Sequence, residues 1–308
     1  MTRKEISKIK TDFVLKREKL IRAKMSTYQL DLFDKLFNKY LKDIVGKKFS
    51  SAEELKVINS IEKTVKEFSI NANTSILKDY SDSAFSLGNW TMRYYATMFD
   101  DVKKLDLIRK KTVEVQKRKL GLKPDGTIKP NGFFDKVIAD PSIQKQVAKE
   151  VRKAITNNYD LLKLQESFKK IIVGSPEQSG IFERHYNTFA KDVLNSIDNA
   201  NSKIYADELE LRHAYYGGGL MLTSHDICIE NNGKIFSTKQ IENLRNDPRI
   251  VKMYENYPGE YDPFELPGGF GCKHHWDYIT ADLAKRITAS QNKKAAQRNS
   301  AFVKRNKL

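Results

Sequence analysis

Proline and glycine are sparse over the first 120 residues, and the apolar side chains there recur at helical spacing. The clearest run comprises Leu30, Phe33, Leu36, Phe37, Tyr40 and Leu41. Because a helix places residues three and four positions apart on one face, this spacing indicates amphipathic helices rather than strands. The N-terminal part of the chain is therefore expected to be helical.

Local signals mark the boundaries in this part of the chain. After a break at Gly46, the pattern Ser51-x-x-Glu54 is a capping box that begins a second helix. The segment 121–132, GLKPDGTIKPNG, concentrates turn-forming residues. It predicts an exposed linker or a short hairpin that interrupts the helices.

Two further helices are predicted after this segment. Asp140 as N-cap and Pro141 in the first turn begin a helix that extends to about residue 170. A longer helix begins near residue 180 and ends close to the three glycines at 217–219. Its apolar stripe comprises Phe182, Tyr186, Phe189, Val193, Ile197, Ala200 and Ile204. Its opposite face is polar and carries Arg184, Asp192, Asn195, Asp198 and Asn199.

After the glycines, the sequence changes in character. Short β-prone stretches within 220–237 flank Asn232-Gly233, a dipeptide that favours a tight hairpin turn. The pattern Ser237-x-x-Gln240 then caps a short helix. Residues 246–271 form a proline- and glycine-rich excursion that returns the chain to the hairpin. These signals predict a small α/β module.

Each of the two cysteines lies close to a histidine, in the pairs His225-x-x-Cys228 and Cys272-x-His274. Two short pairs of nitrogen and sulfur ligands separated by a loop are typical of a tetrahedral zinc site. The hairpin and the glycine-rich return would each present two ligands, with His275 as the alternative to His274. Four protein ligands would make a closed, structural site that stabilises a module with little core of its own. The competing interpretation is that both cysteines are buried apolar side chains and the histidines are partly exposed polar groups.

The chain is basic, with 55 Lys and Arg against 39 Asp and Glu, a net charge of +16. Such an excess favours contact with a polyanion. It is concentrated after residue 282, where basic side chains occur without an acidic one, and such a tail neutralises DNA phosphates without reading sequence. The residues expected to contact nucleic acid are Lys285, Arg286, Lys293, Lys294, Arg298, Lys304, Arg305 and Lys307. The competing interpretation is a solvated, frayed helix.

Neither a signal peptide nor a membrane span is expected. The N-terminus opens with charged residues, and no segment approaches the roughly 18 uncharged apolar residues that a span requires. Two cysteines imply no disulfide framework and favour a reducing compartment, although a bridge between Cys228 and Cys272 stays open. We therefore expect a soluble protein that is made inside the cell.

Three motifs follow one another in the last third of the chain. They are Asp226-Ile227-Cys228, then Asn232-Gly233-Lys234-Ile235-Phe236, then Gly268-Gly269-Phe270-Gly271-Cys272-Lys273-His274 with Trp276 after it. In order and character, residues 180 to 280 resemble the phage head morphogenesis, or minor head, proteins of the Mu F-like type. The sequence departs from the family's pattern at two places. Residues 184–188 stand where the family has an Arg-Thr-Glu-like helix start, and Lys273 stands where Arg is usual. His225 and His274 replace part of the family's paired cysteines, which preserves the ligand chemistry.

The resemblance implies a minor component of a tailed-phage head, without catalytic residues. Its expected partners are portal and capsid or scaffold proteins, together with packaged double-stranded DNA, and no membrane. Its expected location is the head interior or the portal vertex of the virion, after a period in the host cytoplasm during assembly.

Two other functions are compatible with the residues. A metal-dependent nuclease of the ββα type would use His274 or His275 as base, with carboxylates from Asp226, Glu230 and Asp277. A non-specific DNA-binding protein would use the basic tail alone, although the spacing of the cysteine pairs fits no standard zinc finger.

The length of 308 residues exceeds the usual size of one domain. We predict a mainly α protein with an extended helical N-terminal region, a small C-terminal α/β module and a basic tail. The predicted parts are a helical region at 1–120, a linker or short hairpin at 121–132, a second helical region at 133–215, the α/β module with its candidate zinc site at 216–282, and the tail at 283–308.

Overall fold

The computed structural model describes residues 1–139, 141–184, 192–255 and 261–306. The helices, in chain order, are α1 (Arg3–Lys39), α2 (Ser51–Tyr95), α3 (Val102–Lys119), α4 (Phe133–Ala139), α5 (Ser142–Thr156), α6 (Leu161–Ile172), α7 (Val193–Glu208), α8 (Asp226–Asn231), α9 (Thr238–Asn243), α10 (Pro248–Tyr254) and α11 (Ala281–Asn306). The strands are β1 (Gly174–Ser175), β2 (Gln178–Ser179), β3 (His213–Gly217), β4 (Ile235–Ser237) and β5 (His275–Ile279). The prediction of a mainly α protein is confirmed. Within the described ranges, no helix is long and apolar enough to cross a membrane.

The chain forms two compact units that are not continuous in sequence. The first contains 1–16, 81–126 and 192–308, and the second contains 17–80 and 127–191. Both α1 and α2 therefore contribute residues to both units. The predicted division at 120 lies near the end of α3, whereas the predicted division between 215 and 216 falls inside β3.

The second unit is built from helices and the short antiparallel pair β1–β2. Of the predicted apolar run, Phe33, Leu36 and Leu41 are buried, whereas Leu30 is exposed. The capping box at the start of α2 is one residue earlier than predicted. The Ser50 backbone N–H donates to the Glu53 carboxylate at 2.9 Å, and the Glu53 N–H donates to the Ser50 hydroxyl.

The helix predicted from Asp140 to about residue 170 is interrupted. It consists of α5 and α6, and a new N-cap begins α6: the Asp160 carboxylate accepts the Lys163 backbone N–H at 2.8 Å. Asn158, with φ of 48°, forms the turn between the two helices. Asp140 itself lies outside the described residues.

The predicted long helix from about 180 to the glycines is wrong at its C-terminal end. Helix α7 ends at Glu208, Glu210 adopts a φ of 56°, and the chain then enters strand β3. The predicted stripe residues Tyr186 and Phe189 lie outside the described residues. Of the face predicted to be polar, Asn195, Asp198 and Asn199 are buried.

The first unit contains a three-stranded antiparallel sheet in the order β4-β3-β5. The predicted hairpin about Asn232-Gly233 is wrong, because residues 226–231 form helix α8 instead of a strand. Gly233, with φ of 81°, makes the turn from α8 into β4, and its N–H donates to the Tyr216 carbonyl. The second edge of the sheet is β5, which pairs with β3 from His213–Ile279 to Gly217–His275.

Residues 283–306 of the predicted basic tail are part of helix α11, which begins at Ala281. Ala284, Ala295 and Asn299 are buried on one face of this helix. The Asn299 amide donates to the carbonyls of Glu230 and Asn232, and so joins α11 to the end of α8. The segment is therefore held against the α/β part of the first unit.

Candidate metal centre

Three of the four predicted ligand residues come together in the first unit. The Cys228 and Cys272 sulfurs are 3.5 Å apart, and the Cys272 sulfur is 3.6 Å from His274 Nδ1. The ligand atoms of the three residues all lie within 4.8 Å of one another. The side chains are buried, with 1 %, 2 % and 2 % exposure for Cys228, Cys272 and His274. This cluster could hold a metal ion.

Cys228 reaches the cluster from a short helix. It is the third residue of α8, whose N-cap is His225. The approach is close, because a Cβ added at Gly268 would lie 2.1 Å from the Cys228 sulfur and 2.8 Å from the Cys272 sulfur. Glycine is therefore required at 268 for the loop to pass over the two sulfurs.

Cys272 and His274 lie just before β5, and two asparagines of α7 fix their backbone. The Asn195 amide donates to the carbonyls of Cys272 and His274, each at 2.9 Å. The Asn199 amide donates to the His274 carbonyl, and its oxygen accepts the Trp276 N–H at 2.8 Å. These bonds occupy buried backbone groups of the loop before β5, and of β5 as an edge strand, that have no strand partner. The i, i+4 spacing of the asparagines was the only sequence sign of this role.

The two thiols are in different electrostatic environments. Burial raises the pKa of Cys272, and the adjacent Cys228 sulfur adds to this effect. The hydrogen bond with the Cys272 thiol lowers the pKa of Cys228 against the opposing effect of burial, and the Tyr216 hydroxyl acts in the same direction. A bound cation would favour the thiolate form of both residues, because metals bind thiolate rather than thiol.

One nitrogen of the His274 ring is left unpaired by the part of the chain that the structure describes. Its Nδ1 faces the Cys272 sulfur, whereas Nε2 is buried and has no hydrogen-bond partner among the described residues. The ring stacks at an angle against Tyr216, with 4.8 Å between centroids. A buried imidazole nitrogen without a hydrogen-bond partner lowers the stability of the fold unless another group binds it.

His225 is not part of the cluster, contrary to the prediction. Its Nδ1 lies 3.0 Å from the Gly268 carbonyl oxygen, so the ring joins the α8 N-terminus to the loop rather than the two cysteines. The prediction assumed that residues 225 and 228 lie on a strand. The alternative ligand His275 is also elsewhere, with Nε2 at 3.1 Å from both the Ser7 hydroxyl and an Asp277 carboxylate oxygen.

The first unit also contains a buried charged cluster that the sequence did not suggest. Lys10 is fully buried, and its ammonium is 3.1 Å from an Asp198 oxygen and 3.4 Å from an Asp277 oxygen. The Ser202 hydroxyl is also 3.4 Å from the ammonium. Burial opposes the charged form of Lys10, but the two carboxylates outweigh it and raise its pKa.

Asp277, a predicted nuclease carboxylate, belongs to this buried cluster. Burial alone would raise its pKa, but His275 and Lys10 outweigh burial and hold the pKa well below its usual range. Glu230 is instead on the surface, where it pairs with Arg249 at 2.9 Å.

The residues predicted to contact nucleic acid lie along α11. Those within the described ranges are exposed: Lys285, Arg286, Lys293, Lys294, Arg298, Lys304 and Arg305. Lys307 lies outside the described residues. At 100° per residue, Arg286, Lys293 and Lys304 lie opposite the buried face of Ala284, Ala295 and Asn299, and the other four cations flank that face. The exposed surface of α11 is consequently basic.

These features define a mainly α protein with a small antiparallel sheet and a buried cluster of Cys228, Cys272 and His274 that could hold a metal ion. Comparisons with family models, with curated proteins and with solved structures found no match to this chain.

Proposed function

We propose that this protein is a minor head protein of a tailed phage, with a structural role in portal and capsid assembly and in DNA packaging. The phage assignment rests on the resemblance of residues 180 to 280 to the Mu F-like minor head proteins. The structural role rests on one observation, the burial of Cys228, Cys272 and His274. A metal ion among side chains this deeply buried stabilises a fold, because no substrate reaches it.

We assign the metal as zinc. Thiolate and imidazole ligands together favour zinc over magnesium or calcium, which take oxygen ligands. In a tetrahedral zinc site, sulfur ligands lie about 2.3 Å and nitrogen ligands about 2.0 Å from the ion. Two sulfur ligands are then about 3.8 Å apart, and a sulfur and a nitrogen ligand are about 3.5 Å apart. The separations of 3.5 Å and 3.6 Å in the cluster are close to these values.

The proposed zinc site has three protein ligands of the predicted type instead of four. Because His225 bonds to the Gly268 carbonyl, the fourth ligand is an oxygen donor instead of its imidazole nitrogen. The Tyr216 hydroxyl, 3.4 Å and 3.9 Å from the two sulfurs, is the protein group suited to it, with water as the alternative.

Zinc X-ray absorption of the purified protein tests this site. We expect one zinc ion per chain with two sulfur ligands, one imidazole nitrogen and one further oxygen. His274→Ala should reduce zinc content, whereas His225→Ala and His275→Ala should keep it, because neither ring belongs to the cluster. Protein that takes up no zinc after metal-free refolding and reloading would contradict the assignment.

The nuclease alternative has less support. Its two candidate bases, His274 and His275, are both buried, and His275 is engaged with Ser7 and Asp277. A general base must come within hydrogen-bond reach of a water and a phosphate. Asp277 is likewise engaged, with Lys10, so the proposed carboxylate is not available to a second metal.

The basic surface of α11 supports the DNA partner in the proposal. Seven exposed cations on one helix, held in place by buried Ala284, Ala295 and Asn299, form a positive surface of fixed geometry. A surface of this kind binds phosphates through charge and without reading sequence. Such a surface suits a head protein that contacts packaged DNA and also suits a stand-alone DNA-binding protein. It therefore does not distinguish these two functions.

Co-sedimentation separates the three functions. A minor head protein should migrate with portal or capsid assemblies of its phage in a density gradient after nuclease treatment. A nuclease should cut DNA when a divalent metal is added, and a simple DNA binder should leave the capsid fraction once the DNA is digested. Loss of the protein from that fraction would contradict the proposal.

A further inference from the structure

A cavity of about 430 Å³ lies in the first unit among the start of α1, the sheet and α11. Part of its lining is apolar and comes from Ile235, Ile279, Leu283 and Ile287. These side chains belong to a small apolar cluster around the buried Ala284. None of the three residues of the candidate metal centre lines the cavity.

The end of β3 leaves one side of this cavity without side chains. Gly217, Gly218 and Gly219 all line it. A Cβ at Gly217 would lie 2.7 Å from His275 Nε2, and one at Gly218 would lie 2.9 Å from the His274 Cα. Gly218 and Gly219 also have φ of 132° and 75°, which side chains disfavour. The backbone of residues 217–219 therefore lines the cavity without side chains.

The charged lining of the cavity is mainly positive. Arg3, Lys4 and Lys8 contribute to it from α1, and no ion pair joins Lys4 or Lys8 to another residue in the described part of the chain. The acids that line it are Asp12 and Asp277. Lys10 lies 3.4 Å from Asp277 and offsets part of its charge, so three cations face Asp12 and the partly compensated Asp277.

We infer that this cavity binds a small amphiphilic anion, with a single apolar chain or ring and a terminal carboxylate, sulfate or phosphate. Cavities of about 300 to 1,000 Å³ with a largely apolar lining and a few polar groups are typical of small-molecule sites. The apolar part of the ligand contacts Ile279 and Ile287. The anionic end is held by Lys4 and Lys8, which lose little solvation at the cavity edge because both are exposed.

Calorimetric titration of the full chain with decanoate tests this site. Decanoate should bind, whereas decyltrimethylammonium, of equal chain length and opposite charge, should not. Butyrate should bind more weakly than decanoate, because it buries less apolar surface. Binding only to vesicles that contain an anionic lipid, without binding of free decanoate, would overturn the inference.

Variants locate the binding site within the chain. Reversing two exposed charges in Lys4→Glu/Lys8→Glu should weaken decanoate binding by about tenfold or more. Ile287→Glu should abolish it, and Lys285→Glu, on the same helix but away from the cavity, should leave it unchanged. Equal affinity of the Lys4→Glu/Lys8→Glu variant and the unaltered chain would overturn the inference. Because Lys4 and Lys8 are exposed, this result is decisive even where Ile287→Glu does not fold.

Discussion

Replacing Cys228 by serine is expected to release the metal ion and to destabilise the first unit. At free zinc about 1,000 times above the Kd, the loss of binding lowers the free energy of unfolding by about 4 kcal/mol. The effect should be local, with residues 220–280 exchanging backbone hydrogens faster and being cut earlier by proteases. The N-terminal helices should stay folded, because they do not contribute to the cluster.

The comparison with metal-free protein isolates the contribution of the ion. Chelation should destabilise the unaltered chain by a similar amount but should leave Cys228→Ser unchanged. If the two cysteines only pack, the substitution should cost about 1 to 3 kcal/mol for the buried hydroxyl, with or without chelator. His225→Ala is the matched control, since its ring bonds to the Gly268 carbonyl and not to the sulfurs. Proteolysis that cuts the helices first, or leaves residues 220–280 intact, would count against the zinc site.

Periodicity predicted the helices well, because burial on one face of a helix repeats through the chain. The strands gave weaker signals. Strand β5 is buried at all five positions, but its buried polar residues His275 and Asp277 interrupt the continuous apolar run expected of such a strand, and β4 has only three residues. Residues 209–212, between α7 and β3, contain neither proline nor glycine, so the sequence predicted that the helix continues to the glycines. The sheet therefore could not be assembled from the local pattern.

The candidate site was likewise predictable from the sequence only in part. Cys228, Cys272 and His274 were predictable because cysteine and histidine are rare in this chain and carry ligand chemistry. The exclusion of His225 was not, since it depends on α8 replacing the expected strand. The Lys10 cluster was also invisible in the sequence, because Ser202 and Asp277 are 192 and 267 positions away from Lys10.

Lys10→Met is expected to lower the free energy of unfolding by about 3 to 5 kcal/mol, because removing one partner of a buried ion pair leaves the other charge uncompensated. Here the uncompensated groups are Asp198 and Asp277, both 2 % exposed. Lys8→Met is the matched control on the same helix, where the side chain is exposed, and it should change stability little. Chemical denaturation of the three proteins measures the difference. Equal losses in both variants would show that the burial of Lys10 is energetically unimportant.

The pH dependence of this loss distinguishes a charge effect from a packing effect. In the unaltered chain the pKa of Asp277 is held below its usual range, so its stabilising contribution is present above about pH 4, the unfolded value, and is lost as the pH falls through the lower folded value. Without Lys10 the buried charge of Asp277 becomes unfavourable, and protonation of Asp277 relieves it. The stability difference between Lys10→Met and the unaltered chain should therefore shrink as the pH falls toward 4. A difference that is constant over this range would instead indicate lost packing of the lysine chain.

Adding Asp198→Asn to Lys10→Met, which keeps an acceptor for the Thr91 hydroxyl, should recover part of the lost stability at neutral pH, because it removes one of the two uncompensated charges.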